Sequence, residues 1–199
     1  MSSALVVVGA GGFGRETIDV VRAVNAASVE LIWDLVGVVD DAPSQLNLAR
    51  LEALGVPYLG DVAILADLAG VAVAIGVGSP VPRAAIAAQL DSWGLAAPNL
   101  VHPTAVIGSE VTYQDGVIAC ANASVGTNAA LGRHVHLNSR AVIGHDTSLH
   151  NFVSVNPGAT VSGDCVLEDT VLVGAGAVVL NRLRVGRGAV VGASACVVR

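Results

Sequence analysis

Lysine is absent: all ten basic residues are arginines, set against sixteen Asp and Glu, for a formal net charge of −6. No basic stripe is available to neutralise a phosphate backbone, so nucleic acid is not an expected partner. Long apolar runs are also missing, although hydrophobic residues make up 53% of the chain. The longest candidate, "LAGVAVAIGVGSPVP", is broken by Gly, Ser and Pro, and no stretch nears the roughly 18–20 residues a membrane span requires. The opening "MSSALVVVGAGG" has no basic segment before its apolar residues, so no secretion signal is read there. Cysteine is scarce. Cys120, Cys165 and Cys196 are odd in number and lack metal-type spacing, which fits small buried or half-buried residues in a reducing cytoplasm.

What is present is a beat of six. Stepping from Val101 in sixes gives Ile107, Tyr113, Ala119, Val125, Leu131, Leu137, Ile143 and onward to Val197, seventeen positions that are all apolar. In a chain half apolar, chance gives this on the order of once in ten thousand, counting six phases. Two residues before each lies a second column of small or β-branched residues: Ala105, Val111, Val117, Ala123, Ala129, Val135, Ala141 and Thr147 among them. Residues two apart on a strand share a face, so both columns point to one interior. Gly often follows the aliphatic, as at Gly108, Gly126, Gly132 and Gly144, where it is expected to relax the backbone at a turn. Each hexad then reads as a short strand plus a corner. Three hexads close a triangular coil, and the stack is on the order of 27 Å tall at about 4.8 Å per coil. The beat leaves the handedness of the coil open.

The front of the chain has a different grammar. "LVVV" near residues 4–8 predicts a buried strand, and "GAGGFG" follows with Gly9, Gly11 and Gly14 in the G-x-G-x-x-G pattern. The next segment, "RETIDVVRAV", places Ile18, Val21 and Val24 on one helical side. Strand, glycine turn and helix in this order suit a phosphate at the helix start. A second strand, "LVGVVDD", ends at Asp40, where a carboxylate could meet a ribose or a base. A helix near 45–54, a strand at 71–76 and a helix from about 81 to 92 complete a small parallel α/β unit. The expected division is 1–97 for this Rossmann-like unit and 98–199 for the hexad stack.

The hexads "AVIG", "SVGTNAALG" and "VLVGAGAVV" resemble the left-handed β-helix acyltransferases. Together with "GAGGFGRE", "VVDD" and "NLVHPTAVIG", they make the whole chain resemble the bacterial sugar acyltransferases, which include UDP-4-amino-sugar N-acetyltransferases and sialic acid O-acetyltransferases. The resemblance implies an α/β Rossmann-like parallel sheet followed by a left-handed parallel β-helix. It implies acetyl-CoA as co-substrate with no metal, and transfer to the amine of a UDP-4-amino-4,6-dideoxy-sugar or similar nucleotide-linked sugar in surface-glycan biosynthesis. It also implies a cytoplasmic homotrimer with active sites between subunits. By the same resemblance Gly11, Gly12, Phe13, Asp40, Asp41 and Gly76 hold the nucleotide-sugar, with Phe13 standing where many relatives carry His. Relatives often carry a further tail that completes the cofactor site, whereas this chain stops on the beat at "GASACVVR".

"IGHDTSLH" supplies the chemistry. His145 follows Ile143-Gly144, so it falls at a corner and points outward, where packing does not need it. Acyl transfer from a thioester needs a base near neutral pH, which suits His145, and Asp146 can orient and stabilise it. Relatives carry His-Asp at this place. One coil after His145 comes Gly163, which leaves a bare backbone beside the ring. The resemblance places cofactor contacts at Gly163 and Ala175, and a substrate contact at Asn138, whose alternative reading is an Asn ladder with Asn156. Relatives often carry a second His where this chain has Ser154, so either Ser154 or His136, one coil earlier, is expected to supply that hydrogen bond. His102 is expected to cap or pack the stack entrance, and His134 and His150 to be solvated corners.

Four readings compete. Sialic acid or another sugar could be O-acetylated instead. His145 and His150 have the spacing of prism-type carbonic anhydrases, but the third ligand position is Ser109, so His134 or His136 would have to contribute. A non-catalytic scaffold and an NAD enzyme complete the set.

Overall fold

The structure is a computed structural model that describes residues 2–68 and 70–199. It divides into two compact units: one runs to Gly78 and includes Ala85–Pro98, and the other comprises Ser79–Ala84 with Asn99–Arg199.

The first unit is a parallel sheet with helices. β1 (Ser3–Val8) is central, flanked by β2 (Trp33–Val39) on one side and β4 (Ala72–Ile75) on the other; β3 (Tyr58–Gly60) lies outside β2. Leu5, Val6 and Val7 are fully buried, as an uninterrupted apolar strand must be when both sheet faces are covered. α1 (Gly12–Ala26) buries Ile18 and Val21, while Val24 is only half-buried. α2 (Gln45–Ala53) starts at Ser44, whose hydroxyl accepts from the Asn47 N–H at 3.2 Å, an N-cap. α3 spans Pro80–Ser92. The expected strands and helices are present. β3 and a short 3₁₀ helix (Val62–Asp67) were not anticipated, because neither is long enough to show a period.

The second unit is a parallel β-helix of two-residue strands on three faces. Face 1 runs from Leu100–Val101 to Val190–Val191, face 2 from Val106–Ile107 to Cys196–Val197, and face 3 from Thr112–Tyr113 to Arg184–Val185. Every strand pairs with the strand eighteen residues on, as in Val142↔Thr160 and His136↔Ser154. Both predicted columns form the core: Ala141, Ile143, Leu149, Val153, Val155 and Val161 are at most 1% exposed. Thr147, the polar member of the small column, donates its hydroxyl to the Ser162 carbonyl at 3.1 Å and so is buried without an orphaned group.

The corners correct one expectation. The glycines that follow the aliphatic residues do not adopt positive φ. That conformation falls two residues later, at fifteen successive corners from Glu110 to Ser194, and eleven of those residues are not glycine. The glycines are there for closeness. A methyl group at Gly126 would stand 2.6 Å from the His145 nitrogen, and one at Gly174 would stand 2.6 Å from the Ala193 nitrogen, each on the coil that follows. Small size, rather than backbone freedom, is what these positions require.

Cys120 and Cys165 are buried as expected, whereas Cys196 is exposed, because the strand pleat turns it outward on face 2.

Candidate active site

The glycine turn of the first unit is built by close approach. A methyl at Gly14 would collide with the Gly9 carbonyl, and one at Gly76 would stand 2.5 Å from the Gly14 α-carbon. Gly9 itself has φ +106°. These three let the end of β1, the start of α1 and the end of β4 cross. Gly76 is thus occupied with packing, while Gly11 and Gly12 have nothing within 4 Å of where a side chain would stand. Gly11 caps α1 with no side-chain hydrogen bond, and neither Gly11 nor Gly12 carries a side chain that would cover the helix start, where an anion is favoured.

Asp40 and Asp41 are less available than expected. Asp40 Oδ2 accepts from the Ala10 N–H at 2.8 Å and Oδ1 from the Ala42 N–H at 3.0 Å. Asp41 Oδ1 accepts from the Val62 N–H at 2.8 Å. Asp40 therefore braces the glycine turn, and the carboxylate that an NAD ribose would need is already engaged. Arg15 completes the brace, donating from Nη1 to the Ala10 carbonyl at 2.7 Å and to Asn47 Oδ1 at 2.8 Å. Phe13 lies beside Gly78, half-buried.

On the β-helix, His145 occupies the edge between faces 2 and 3, with 61% of its side chain exposed. Its Nδ1 meets Asp146 Oδ2 at 2.6 Å. The carboxylate acceptor puts the proton on Nδ1 and leaves the lone pair on Nε2. Asp146 Oδ1 accepts from Asn128 Nδ2 at 3.1 Å, and its main-chain N–H donates to the Thr127 carbonyl at 3.0 Å. The hydrogen bond from His145, and after it that from Asn128, hold the Asp146 carboxyl below its ordinary range. The imidazole lies against Gly163, one coil on: a methyl there would stand 2.7 Å from both Cε1 and Nε2. The stacking of His145 on bare backbone thus follows the coil arithmetic. Ala175 is exposed and borders face 2 from its opposite edge. Among the described residues no acceptor takes the N–H of Gly163 or of Ala175.

Face 1 differs from expectation. His136 and Ser154 are 0% and 1% exposed, so neither presents an atom to a cofactor in this structure. Ser154 is covered by Arg83, itself fully buried, whose Nη2 donates to Ser154 Oγ at 2.8 Å and to the Phe152 carbonyl at 2.7 Å. Burial pushes the Arg83 guanidinium down to about 9 and holds His136 well below its usual value. Asn138 is also buried, and its amide donates to Asn156 Oδ1 at 3.3 Å, which is the ladder.

The other histidines sort as follows. His102 Nδ1 lies 3.1 Å from the Thr104 N–H and 2.9 Å from its hydroxyl, capping a turn. His134 is not a solvated corner: it is 1% exposed and stacks on Phe152, with centroids 5.5 Å apart and planes at 5°. His150 is 45% exposed, its Nδ1 4.0 Å from Asp169. The histidine trio of the metal reading does not assemble. Among the described residues, the group whose ligand-type atoms do lie within 4.8 Å of one another is His145, Asp146 and Asp164. Asn128 and Asp164 were both missed, though each is one coil, eighteen residues, from Asp146.

Comparison with known proteins bears on the fold. Residues 4–90 match the PglD N-terminal domain family. Among curated proteins none matches the chain by sequence. Solved structures do. PerB from Caulobacter crescentus, in complex with CoA and GDP-perosamine, superposes with a TM-score of 0.86 at 26% identity, over 98% of this chain and 89% of that one. WeeI from Acinetobacter baumannii gives 0.84 at 26% identity over 98% and 92%. The acetyltransferase domain of PglB from Neisseria gonorrhoeae, in complex with acetyl coenzyme A, gives 0.80 at 25% identity over 99% and 93%. The fold is shared over nearly the full length of each: a Rossmann-like unit followed by a left-handed β-helix. No helix among the described residues is long and apolar enough to cross a membrane.

Proposed function

We propose that this chain, a relative of the left-handed β-helix sugar acetyltransferases, moves the acetyl group of acetyl-CoA onto the amine of a nucleotide-linked amino sugar. The observation that carries the reading is the His145–Asp146 pair on an open edge, with Nε2 unengaged and Gly163 beneath the ring. The amine nitrogen attacks the thioester carbonyl, and a tetrahedral intermediate forms. His145 Nε2 takes a proton from that nitrogen, and Asp146 stabilises the resulting imidazolium. The C–S bond then breaks, and the proton passes from the imidazolium to the departing thiolate. Amide and free CoA thiol balance amine and thioester. The N–H groups of Gly163 and Ala175 are donors for the acyl donor, its oxyanion included.

In this reading Gly11, Gly12 and Phe13 meet the nucleotide-sugar at the start of α1, and Asp41 Oδ2 is the acidic atom left for it. A UDP-4-amino-4,6-dideoxy-sugar is the preferred form, in bacterial surface-glycan synthesis in the cytoplasm. Apolar residues on or beside face 2, Val106, Val142 and Val178, suit assembly as a trimer of 19.9 kDa chains. Release of free thiol from acetyl-CoA, measured with a panel of UDP- and GDP-amino-sugars and with free sialic acid, tests the proposal. Turnover with an amino sugar supports it. Turnover with sialic acid alone moves the chemistry to a hydroxyl, and no turnover with any acceptor removes it.

A further inference from the structure

Asp146 is gripped from one coil below at two points. Its main-chain N–H bond to Thr127 repeats at every coil of this edge, as in Asp164 to His145 and Arg182 to Gly163, and belongs to the β-helix itself. The side-chain bond from Asn128 is particular to this coil. Asn128 and Asp146 hold the same hexad position eighteen residues apart, both with φ +58°, so their side chains leave the edge side by side. We infer that Asn128 is a positioning residue for the proposed acyl transfer, its amide holding the Asp146 carboxylate in the rotation that presents Oδ2 to His145. The inference rests on the reading of His145 as the general base.

The physical need is clear from exposure. Asp146 is 45% exposed, and the terminal torsion of a free carboxylate is broad, so a single bond to an imidazole does not fix it. A competitor also stands nearby. Asp164, at the same position one coil on, brings a second carboxylate within 4.8 Å of the pair. Arg182 Nε lies 3.7 Å from Asp164 Oδ2 and draws that carboxylate the other way. The charged groups around the imidazole are thus Asp146, Asp164 and Arg182, with Glu110 one coil below Asn128. Among the described residues only Asp146 has a neutral donor fastening its far oxygen, and only it reaches Nδ1.

The test compares Asn128→Ala, Asn128→Asp and a control, Asn122→Ala, in the full-length protein. Asn122 has the same φ of +58° at the same hexad position on another edge, so it carries the backbone cost alone. Both Asn128 variants are expected to lower kcat by about 3–10-fold, the scale of one charge-assisted hydrogen bond partly shared with water, with KM for both substrates within about twofold. The acid limb of kcat/KM should fall in pH for Asn128→Ala, where the ion pair loosens, and rise for Asn128→Asp, which adds a negative charge. In an Asp146→Asn background, Asn128→Ala should have no further effect. Losses that multiply in that background, or an equal loss in Asn122→Ala, overturn the inference. ¹⁵N NMR of His145 without substrate decides independently of turnover. A wild-type ring protonated at Nδ1 that loses this preference in Asn128→Ala supports the role, and an unchanged ring overturns it, even if no sugar is ever acetylated.

Discussion

Two edges of the β-helix use the same repeat position in opposite ways. Between faces 3 and 1 the position is filled by Arg133, Asn151, Asp169 and Arg187, and each coil is tied to the next. Asn151 Oδ1 accepts from the Arg133 N–H at 2.9 Å, Asp169 Oδ1 accepts from the Asn151 N–H at 3.1 Å, and Arg187 Nη2 pairs with Asp169 Oδ2 at 2.9 Å. Between faces 2 and 3 the position runs Thr127, His145, Gly163 and Asn181, and above His145 the ladder of side chains stops at a glycine. One edge is closed by its own polar groups. The other leaves an exposed imidazole over a buried glycine whose N–H has no acceptor among the described residues. A regular scaffold thus opens room for an imidazole by omitting a side chain, since strand pairing alone keeps the coils in register.

Breaking the open edge should have the largest effect. His145→Ala is expected to lower turnover by about 10²–10⁴-fold in the thiol-release assay, with thermal stability unchanged, because the ring is exposed and outside the core. Closing that edge comes next: Gly163→Ala forces the imidazole aside by its 2.7 Å contacts and should cost about 10²-fold in kcat, since a displacement near 1 Å has that scale. A kcat within threefold of wild type would show that the floor under the ring is dispensable.

The closed edge should respond in stability instead. Arg83→Ala removes the donor to Phe152 and Ser154 and opens a buried site, for an expected loss of about 2–4 kcal/mol by chemical denaturation. Asp169→Ala, losing one main-chain acceptor and a largely exposed ion pair, should cost about 1 kcal/mol and leave kcat unchanged. Equal activity losses at both edges would erase the distinction.

The smallest effect concerns acid. Asp146 titrates below its ordinary value, a depressed carboxyl, so its contribution is present above the unfolded value near about 4 and is lost as pH falls through the lowered folded value. Across pH 5–8 Asp146 stays ionised, so an acid limb of activity in that window does not come from Asp146 itself. Asp146→Asn should therefore shift that limb to lower pH, by removing the charge that favours the imidazolium.

Periodicity made the β-helix legible. The seventeen aliphatic positions and the small column before them are the core, because a period-two strand inside a period-six repeat leaves no other way to bury both. The outward His145 and its glycine neighbour followed from the same count. What stayed hidden has physical reasons. The positive-φ column carries Glu, Arg, Phe and Thr as well as Asn, Asp and Gly, so no residue type marks it. Ser154 is covered by Arg83, seventy-one residues away in the chain, and no local pattern encodes such a contact. Asp40 looked free because its partner is a main-chain N–H at Ala10, and sequence does not display backbone donors. Asn128 could have been found: the eighteen-residue step that paired His145 with Gly163 also leads back from Asp146 to it.

The most direct test is the pH dependence of thiol release in the wild type and in His145→Ala, measured with the accepted amino sugar. A single acid limb that vanishes from the residual rate of the variant is the predicted outcome. The same limb persisting without the imidazole would place the base elsewhere and contradict the account.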